Sequence, residues 1–211
     1  RPVLRRIWRT VMTTFTPTGT LILKGIPASP GIAVGKAFVL SRESPSVQPE
    51  VLEPHEIPHE VARFLTAQEA TNAELLNSIE LARQESSTVK SIIESYLLIA
   101  SDPVMTGSIV ERIKAGTPAE SAVLTEFDVH KTVLYGARDA LLRERVQDFE
   151  HVMERMIAAL RNRTLSHEQA GDSIVVAGSI TPQDMLFFKK LRTLGYVSEV
   201  GGINSHSCIL A

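Results

Sequence analysis

Hydrophobic positions in the middle of the chain recur at helical spacing. From about residue 58 to residue 162, Ala, Leu, Glu, Gln and Arg are abundant, which favours helix. The clearest stripe advances in steps of four and three, so its members share one side of a helix: Leu142, Val146, Phe149, Met153, Met156 and Leu160. Polar residues between them, including Arg155, are expected on the opposite, solvent-facing side. Such a stripe is typical of the buried seam of a helical bundle.

Four further helices are predicted before this one, over 61–83, 89–100, 104–114 and 118–141. Asp102 and Pro103 separate two of them, because proline begins a helix well and interrupts one badly.

The flanks of this region have strand patterns. Residues 21–40, "LILKGIPASPGIAVGKAFVL", consist of two apolar runs around turn residues, and a polar linker follows. Later, "DSIVVAG" and "YVSEV" are predicted strands. Between them a helix is predicted from Thr181, the N-cap, and Pro182 to Gly195.

This order predicts a discontinuous α/β domain, from 21–50 and 163–211, with a helical domain over 51–162 inserted in its middle. Residues 1–20 are basic and contain no acidic residue. They are predicted to form a disordered tail.

Composition narrows the function classes. The formal net charge of -2 gives no reason to expect a nucleic-acid partner. The single cysteine, Cys208, excludes an internal disulfide framework and fits an intracellular setting. No apolar stretch is long enough to span a bilayer, so no membrane insertion is expected.

The segment "GGINSHSCILA" at 201–211 is the candidate for chemistry. Gly201 and Gly202 permit an unusual turn, and Ser205 is a good N-cap. His206 is then predicted in the first turn of a helix, where unpaired N–H groups and the helix dipole favour anions and a neutral imidazole. This pattern indicates phosphate binding or a phosphorylated histidine; a surface or capping role is the alternative.

The same segment resembles the phosphohistidine signature of enzyme I of the bacterial phosphoenolpyruvate:sugar phosphotransferase system. Four other segments, "ASPGIAVGKA", "YLLIASDPVM", "LLRERVQDFEHVMERM" and "VVAGSITPQDM", resemble family motifs and follow one another in the family's order.

The resemblance implies a phosphohistidine, or swivelling, α/β domain that is truncated at its C-terminal end, with an inserted helical bundle that binds the carrier protein HPr. It implies that a cytoplasmic enzyme passes a phosphoryl group from phosphoenolpyruvate through His206 to HPr, with Thr181 and Ser205 beside that histidine. The residues implied to contact HPr are Tyr96, Ile99, Asp102 and Arg145, with Tyr96 as an exposed aromatic anchor. Phosphoenolpyruvate and Mg²⁺ are expected on a C-terminal barrel, through which full-length relatives dimerise. That barrel is absent here, and no metal is expected on this chain.

The chain departs from the family pattern at several positions. Ile203 and Asn204 replace an Arg and a Thr of the signature, Ser179 replaces an Asp, and Tyr96 replaces a His. Two alternatives therefore stay open: a non-catalytic module that binds HPr or a regulator, and another phosphohistidine enzyme such as pyruvate phosphate dikinase. Surface or packing roles are expected for Cys208 and for the other histidines, His55, His59, His130, His151 and His167.

Overall fold

The computed structural model describes residues 14–15, 21–40, 51–83, 87–136, 139, 145–162 and 170–199. The chain divides into two compact units. The helical unit comprises residues 44–165, and the sheet unit comprises residues 1–43 and 166–211. The predicted fold class, a helical bundle together with an α/β part, is confirmed.

The helical unit contains five helices among its described residues: α1 (Ile57–Ala82), α2 (Ser87–Ala100), α3 (Pro103–Lys114), α4 (Ala119–Tyr135) and α5 (Val146–Leu160). The predicted break between α2 and α3 is confirmed, because the Asp102 carboxylate accepts hydrogen bonds from the backbone N–H groups of Val104 and Met105. The predicted continuation of α4 to residue 141 is wrong, since Gly136 and Asp139 are not helical. Gly136 is the C-cap residue of α4, and glycine is a poor helix former.

Helix α5 packs against three helices, α1, α2 and α4. Its predicted seam is confirmed where it is described: Val146, Met153, Met156 and Leu160 are buried, and Phe149 is half-buried. Arg155 was predicted to face solvent, and that prediction is wrong, because its side chain is 3% exposed. With neighbours on three sides α5 buries more than one stripe, and Glu74 of α1 forms an ion pair with the Arg155 guanidinium.

The sheet unit contains a parallel sheet of three strands, β3 (Lys36–Leu40), β4 (Ser173–Ala177) and β5 (Gly195–Ser198), in that order. Helix α6 (Pro182–Lys190) connects β4 to β5. The core of the sheet unit contains one cluster of buried residues, drawn from the sheet, from α6 and from the segments on either side of β4: Leu40, Ala170, Val175, Ala177, Ile180, Met185 and Phe188.

Two predictions for the sheet unit are wrong in detail. Helix α6 ends at Lys190, not at Gly195, because the chain turns at Arg192 through a left-handed backbone conformation (φ 56°) and Gly195 begins β5. The predicted tail is not wholly without structure, since β1 (Thr14–Phe15) pairs antiparallel with β2 (Leu21–Ile22). No helix within the described ranges is long and apolar enough to cross a membrane.

Candidate functional site

The carboxyl ends of the three parallel strands lie together at one edge of the sheet. Ala177, the last residue of β4, pairs in register with Leu40 of β3 and with Ser198 of β5. The N–H of Glu199 also donates to the carbonyl of Ala177 over 3.1 Å, which continues the pairing beyond the strands. In open parallel sheets ligands bind outside this edge, so it is the candidate site of the sheet unit.

Thr181 lies just beyond this edge, four residues after the end of β4. Its predicted role as the N-cap of α6, with Pro182 in the first turn, is confirmed. The Thr181 hydroxyl accepts a hydrogen bond from the Asp184 N–H over 3.1 Å. The Asp184 carboxylate in return accepts one from the Thr181 N–H over 2.7 Å. This reciprocal pair is a capping box, and both residues are fully buried.

The predicted phosphohistidine segment begins where β5 ends. Glu199 is the last described residue, and Ser205 and His206 lie outside the described residues, as does Cys208. Connectivity alone is informative, however: the chain that leads to His206 leaves β5 beside the end of β4, from which the chain continues to Thr181. The two segments that sequence analysis assigned to one site therefore start from the same edge of the sheet.

In the helical unit, the expectation for Tyr96 is wrong. Its side chain is 1% exposed, and its hydroxyl lies 3.4 Å from Nδ1 of His151 on α5. The buried residues of α2 are Val89, Ile93, Tyr96 and Ala100, which follow one another in steps of four, three and four. Tyr96 is thus part of the helical core, and its ring is not available as an exposed anchor.

The other three predicted contact residues stay near the surface. Ile99 is half-buried. Asp102 is exposed and caps α3. Arg145 is exposed and pairs with Asp148 at 3.7 Å.

Two exposed apolar side chains flank Asp102 in the sequence, and the sequence patterns did not single them out. Leu98 is 74% exposed and Val104 is 73% exposed. The spacing carried the signal for Leu98, since a residue two positions after buried Tyr96 points about 200° away around a helix. These two apolar side chains and the Asp102 carboxylate are called the α2–α3 corner below.

The four other histidines that the structure describes lie apart from any metal-binding arrangement. His130 stacks on Phe149 with 5.8 Å between ring centroids, His151 contacts Tyr96, and His55 and His59 are exposed. Within the described residues, no group of three or more His, Cys, Asp or Glu side chains is arranged to hold a metal ion. His167 lies outside the described residues.

Two family models match the chain. The model described as "PEP-utilising enzyme, N-terminal" matches residues 24–145, and the model described as "PEP-utilising enzyme, mobile domain" matches residues 169–211. The second match spans β4, α6, β5 and the whole histidine segment.

Similar proteins carry a consistent name. The phosphoenolpyruvate-protein phosphotransferase of Listeria innocua is 35% identical over 193 residues, which cover 90% of this chain and 33% of that protein. The chain therefore spans about a third of the length of the curated relatives it matches.

Two solved structures are also similar. A solution structure of Enzyme I matches with a TM-score of 0.75 and 32% identity, over 90% of this chain and 78% of that one. The N-terminal domain of a nitrogen Enzyme 1 matches with a TM-score of 0.65 at 22% identity, over 87% of this chain and 76% of that one, and supports the fold alone. The resemblance to enzyme I is thereby confirmed.

Proposed function

The chain belongs to the PEP-utilising enzymes, and from this premise we propose that it acts as the phosphohistidine-bearing N-terminal part of a phosphoenolpyruvate-protein phosphotransferase. His206 accepts and donates the phosphoryl group, and HPr is the protein partner. Because the chain spans only about a third of its curated relatives, this activity is assigned to a longer assembly in which the chain supplies the relay histidine.

One observation carries the proposal. The segment matched to the mobile-domain family contains both the capped Thr181 and the chain that leads to His206, and these leave adjacent strands at the carboxyl edge of the sheet. A hydroxyl donor beyond this edge, followed in the same family segment by a histidine, suits a site that receives a phosphoryl group.

The transfer step balances without any further reactant. A ring nitrogen of His206 attacks the phosphorus of phospho-HPr, and a new N–P bond forms while the N–P bond to the HPr histidine breaks. The leaving imidazole keeps the electron pair and takes up one proton, and His206 releases one from its other ring nitrogen. The Thr181 hydroxyl donates a hydrogen bond to the ring or to a phosphoryl oxygen.

Phosphoenolpyruvate and Mg²⁺ belong, in this proposal, to the part of the relatives that the chain does not span. No step on this chain is assigned to the metal. Dimerisation is assigned to the same missing part.

HPr is bound by the helical unit, at the α2–α3 corner. Leu98 and Val104 supply apolar contact area, and the Asp102 carboxylate supplies charge at its rim; a docking surface of this kind has an apolar centre and a polar edge. Ile99 and Arg145 are contact residues in the same proposal.

A non-catalytic docking module is the second candidate. It is favoured by Ile203, which removes the cation that the family signature places near the phosphoryl group, and by Ser179. In that case HPr is bound and no phosphoryl group is accepted.

Incubation with phospho-HPr followed by mass spectrometry tests the choice. We expect one added phosphoryl group, which His206→Ala abolishes. His59→Ala, which changes an exposed histidine of the helical unit, is the matched control and should keep the label. A label that survives His206→Ala would overturn the assignment, and HPr binding without any label would establish the docking module.

A further inference from the structure

We infer that Gly107 of α3 is a contact point for HPr, where the absence of a side chain lets the partner reach the helix backbone. Gly107 lies three positions after Val104, a member of the α2–α3 corner, and extends that surface along α3. The inference rests on the proposed function, which makes HPr the partner, and it deepens that function by naming a residue that shapes the docking surface.

Gly107 lies on the outer face of α3. Two buried residues of this helix, Met105 and Ile109, stand two positions before and two positions after it, so Gly107 faces about 200° away from both around the helix. It is exposed, and so are Val104 and Glu111, three positions before it and four positions after it. Residues at this spacing share one side of a helix, so Gly107 stands in the middle of an exposed strip of α3.

Nothing within the described chain requires glycine at this position. Apart from its chain neighbours and its own helix backbone, no described heavy atom would lie within 4 Å of a Cβ atom built at Gly107. Its backbone is not left-handed either, since the described glycines with positive φ are Gly31 and Gly116. Only proline is a poorer helix former than glycine, so stability alone favours a side chain here. A glycine on an exposed face does allow another molecule to approach the backbone closely.

The surroundings of Gly107 indicate what kind of surface fits there. The exposed side chains of Leu98 and Val104 are apolar. Asp102 is exposed and caps α3 through a single oxygen, Oδ1, which accepts both cap bonds. Its other oxygen is therefore open to a cation of the partner, and hydrogen bonds between two charged groups are the strong ones. The surface of HPr that fits has apolar groups against Gly107 and a lysine or arginine beside Asp102, in keeping with the apolar centre and polar rim of a docking surface.

Calorimetric titration of the whole chain with unphosphorylated HPr tests the inference. A side chain at this position should hold the partner away from the helix, so we expect Gly107→Ala to weaken binding about threefold and Gly107→Leu about tenfold. Both variants should melt at or above the wild-type temperature, because alanine and leucine favour helix more than glycine does. A chain that is more stable and binds less well is not expected of a glycine with a structural role alone.

Ala62→Leu is the matched control. Ala62 is exposed near the start of α1, so the change adds apolar bulk to another helix surface of the same unit, and HPr affinity should be unaltered. A second readout locates the contact. In chain labelled with ¹⁵N-glycine, HPr should shift the amide signal of Gly107 more than that of Gly116, which follows the C-terminal end of α3.

The outcomes separate the inference from the proposed function. If the wild-type chain binds HPr and Gly107→Leu binds it equally well, the inference is overturned and the proposed partner stands. If binding weakens while the Gly107 signal does not move, the effect is indirect and the inference is also overturned. If the wild-type chain does not bind HPr, the proposed partner is wrong, and the inference, which names HPr, is wrong with it. If Gly107→Leu does not fold, Gly107→Ala decides, and an unchanged affinity of that variant would overturn the inference.

Discussion

Arg63 joins three helices through a single guanidinium group. From α1 it donates to Glu60 at 2.7 Å, to Glu120 of α4 at 2.5 Å, and to the carbonyl of Leu160 at the end of α5 at 2.9 Å. Glu60 in turn accepts the buried N–H of Ala119 at the start of α4. The start of α4, whose N-cap residue Pro118 makes no side-chain cap bond, and a carbonyl at the end of α5 thereby have partners on a neighbouring helix.

Removal of this guanidinium should be costly. Arg63→Met leaves Glu60 and Glu120 close together without their shared cation, and hydrogen bonds between charged groups contribute about 1.5–3 kcal/mol. We expect the free energy of unfolding to fall by about 2 kcal/mol, measured by urea denaturation. Arg83→Met is the control, because Arg83 also pairs with a glutamate three residues away on α1, Glu80, but both side chains are exposed. Equal losses in the two variants would contradict the prediction.

The same group predicts how stability depends on pH. The hydrogen bond from Arg63 lowers the pKa of Glu60 below its usual value of 4.5. Burial raises the pKa of Glu120, but the hydrogen bonds from Arg63 and from its own backbone N–H, together with the charge of Arg63, outweigh burial, so that pKa is also lowered. Below the usual pKa the unfolded chain binds protons more readily than the folded chain, so this stabilisation is present above about pH 4.5 and is lost as the pH falls through the lowered pKa values. Melting temperatures from pH 7 to pH 3 should fall less steeply for Arg63→Met than for the wild type; parallel curves would disprove the coupling.

At the scale of elements, the buried stripe of α2 determines what each of its side chains can do. Tyr96 lies within that stripe and contacts His151 of α5 with ring centroids 6.0 Å apart, whereas Leu98 lies on the opposite side. One helix thus stabilises the bundle with one face and leaves the other open to a partner.

Tyr96→Ala should destabilise the helical unit. Truncation of a buried aromatic side chain typically costs about 3–5 kcal/mol, so the melting temperature should drop steeply. Tyr96→Phe keeps the buried ring and removes the hydroxyl that contacts His151 at 3.4 Å, so it should melt far closer to the wild type than Tyr96→Ala does. An unchanged melt for Tyr96→Ala would mean that this ring is not a core residue.

Leu98→Ala should have the opposite profile. The side chain is exposed, so the melt should be unchanged. Calorimetric titration with HPr should show binding weakened by about 1 kcal/mol, the scale at which an interface side chain counts as contributing. Leu76→Ala, which changes another exposed leucine of the helical unit, should leave HPr binding unaltered. Equal affinities for Leu98→Ala and the wild type would remove Leu98 from the docking surface.

Local patterns predicted most elements because their causes are local. Thr181 was identified as an N-cap from its residue type and the following proline, and Asp102-Pro103 as a break between two helices; both Asp102 and Thr181 act as side-chain caps. The burial of Arg155 could not be predicted in this way, since its ion-pair partner, Glu74, lies 81 residues earlier in the chain. At the candidate site, Thr181 and its capping role were predictable, whereas the Asp184 carboxylate that completes the capping box was identified only from the hydrogen bonds of the folded chain.

At the scale of the whole molecule, the two family matches divide the chain much as its contacts do. The N-terminal family model covers the helical unit from its start to Arg145, and the mobile-domain model falls within the sheet unit. The chain spans about a third of its curated relatives, so, under the proposed function, phosphorylation by the donor and exchange with the carrier can be tested separately.

This separation predicts which donors label the chain. Under the proposed function, phosphoenolpyruvate with Mg²⁺ should not label it, because both are assigned to the part of the relatives that the chain does not span. Radiolabelled phosphoenolpyruvate and Mg²⁺ should therefore give no signal with the chain alone. Addition of the C-terminal part of the Listeria innocua relative in trans should produce a label at His206, and His206→Ala should abolish it. Strong labelling by phosphoenolpyruvate and Mg²⁺ alone would show that this chain binds the donor itself, and the division of labour between the two parts would have to be abandoned.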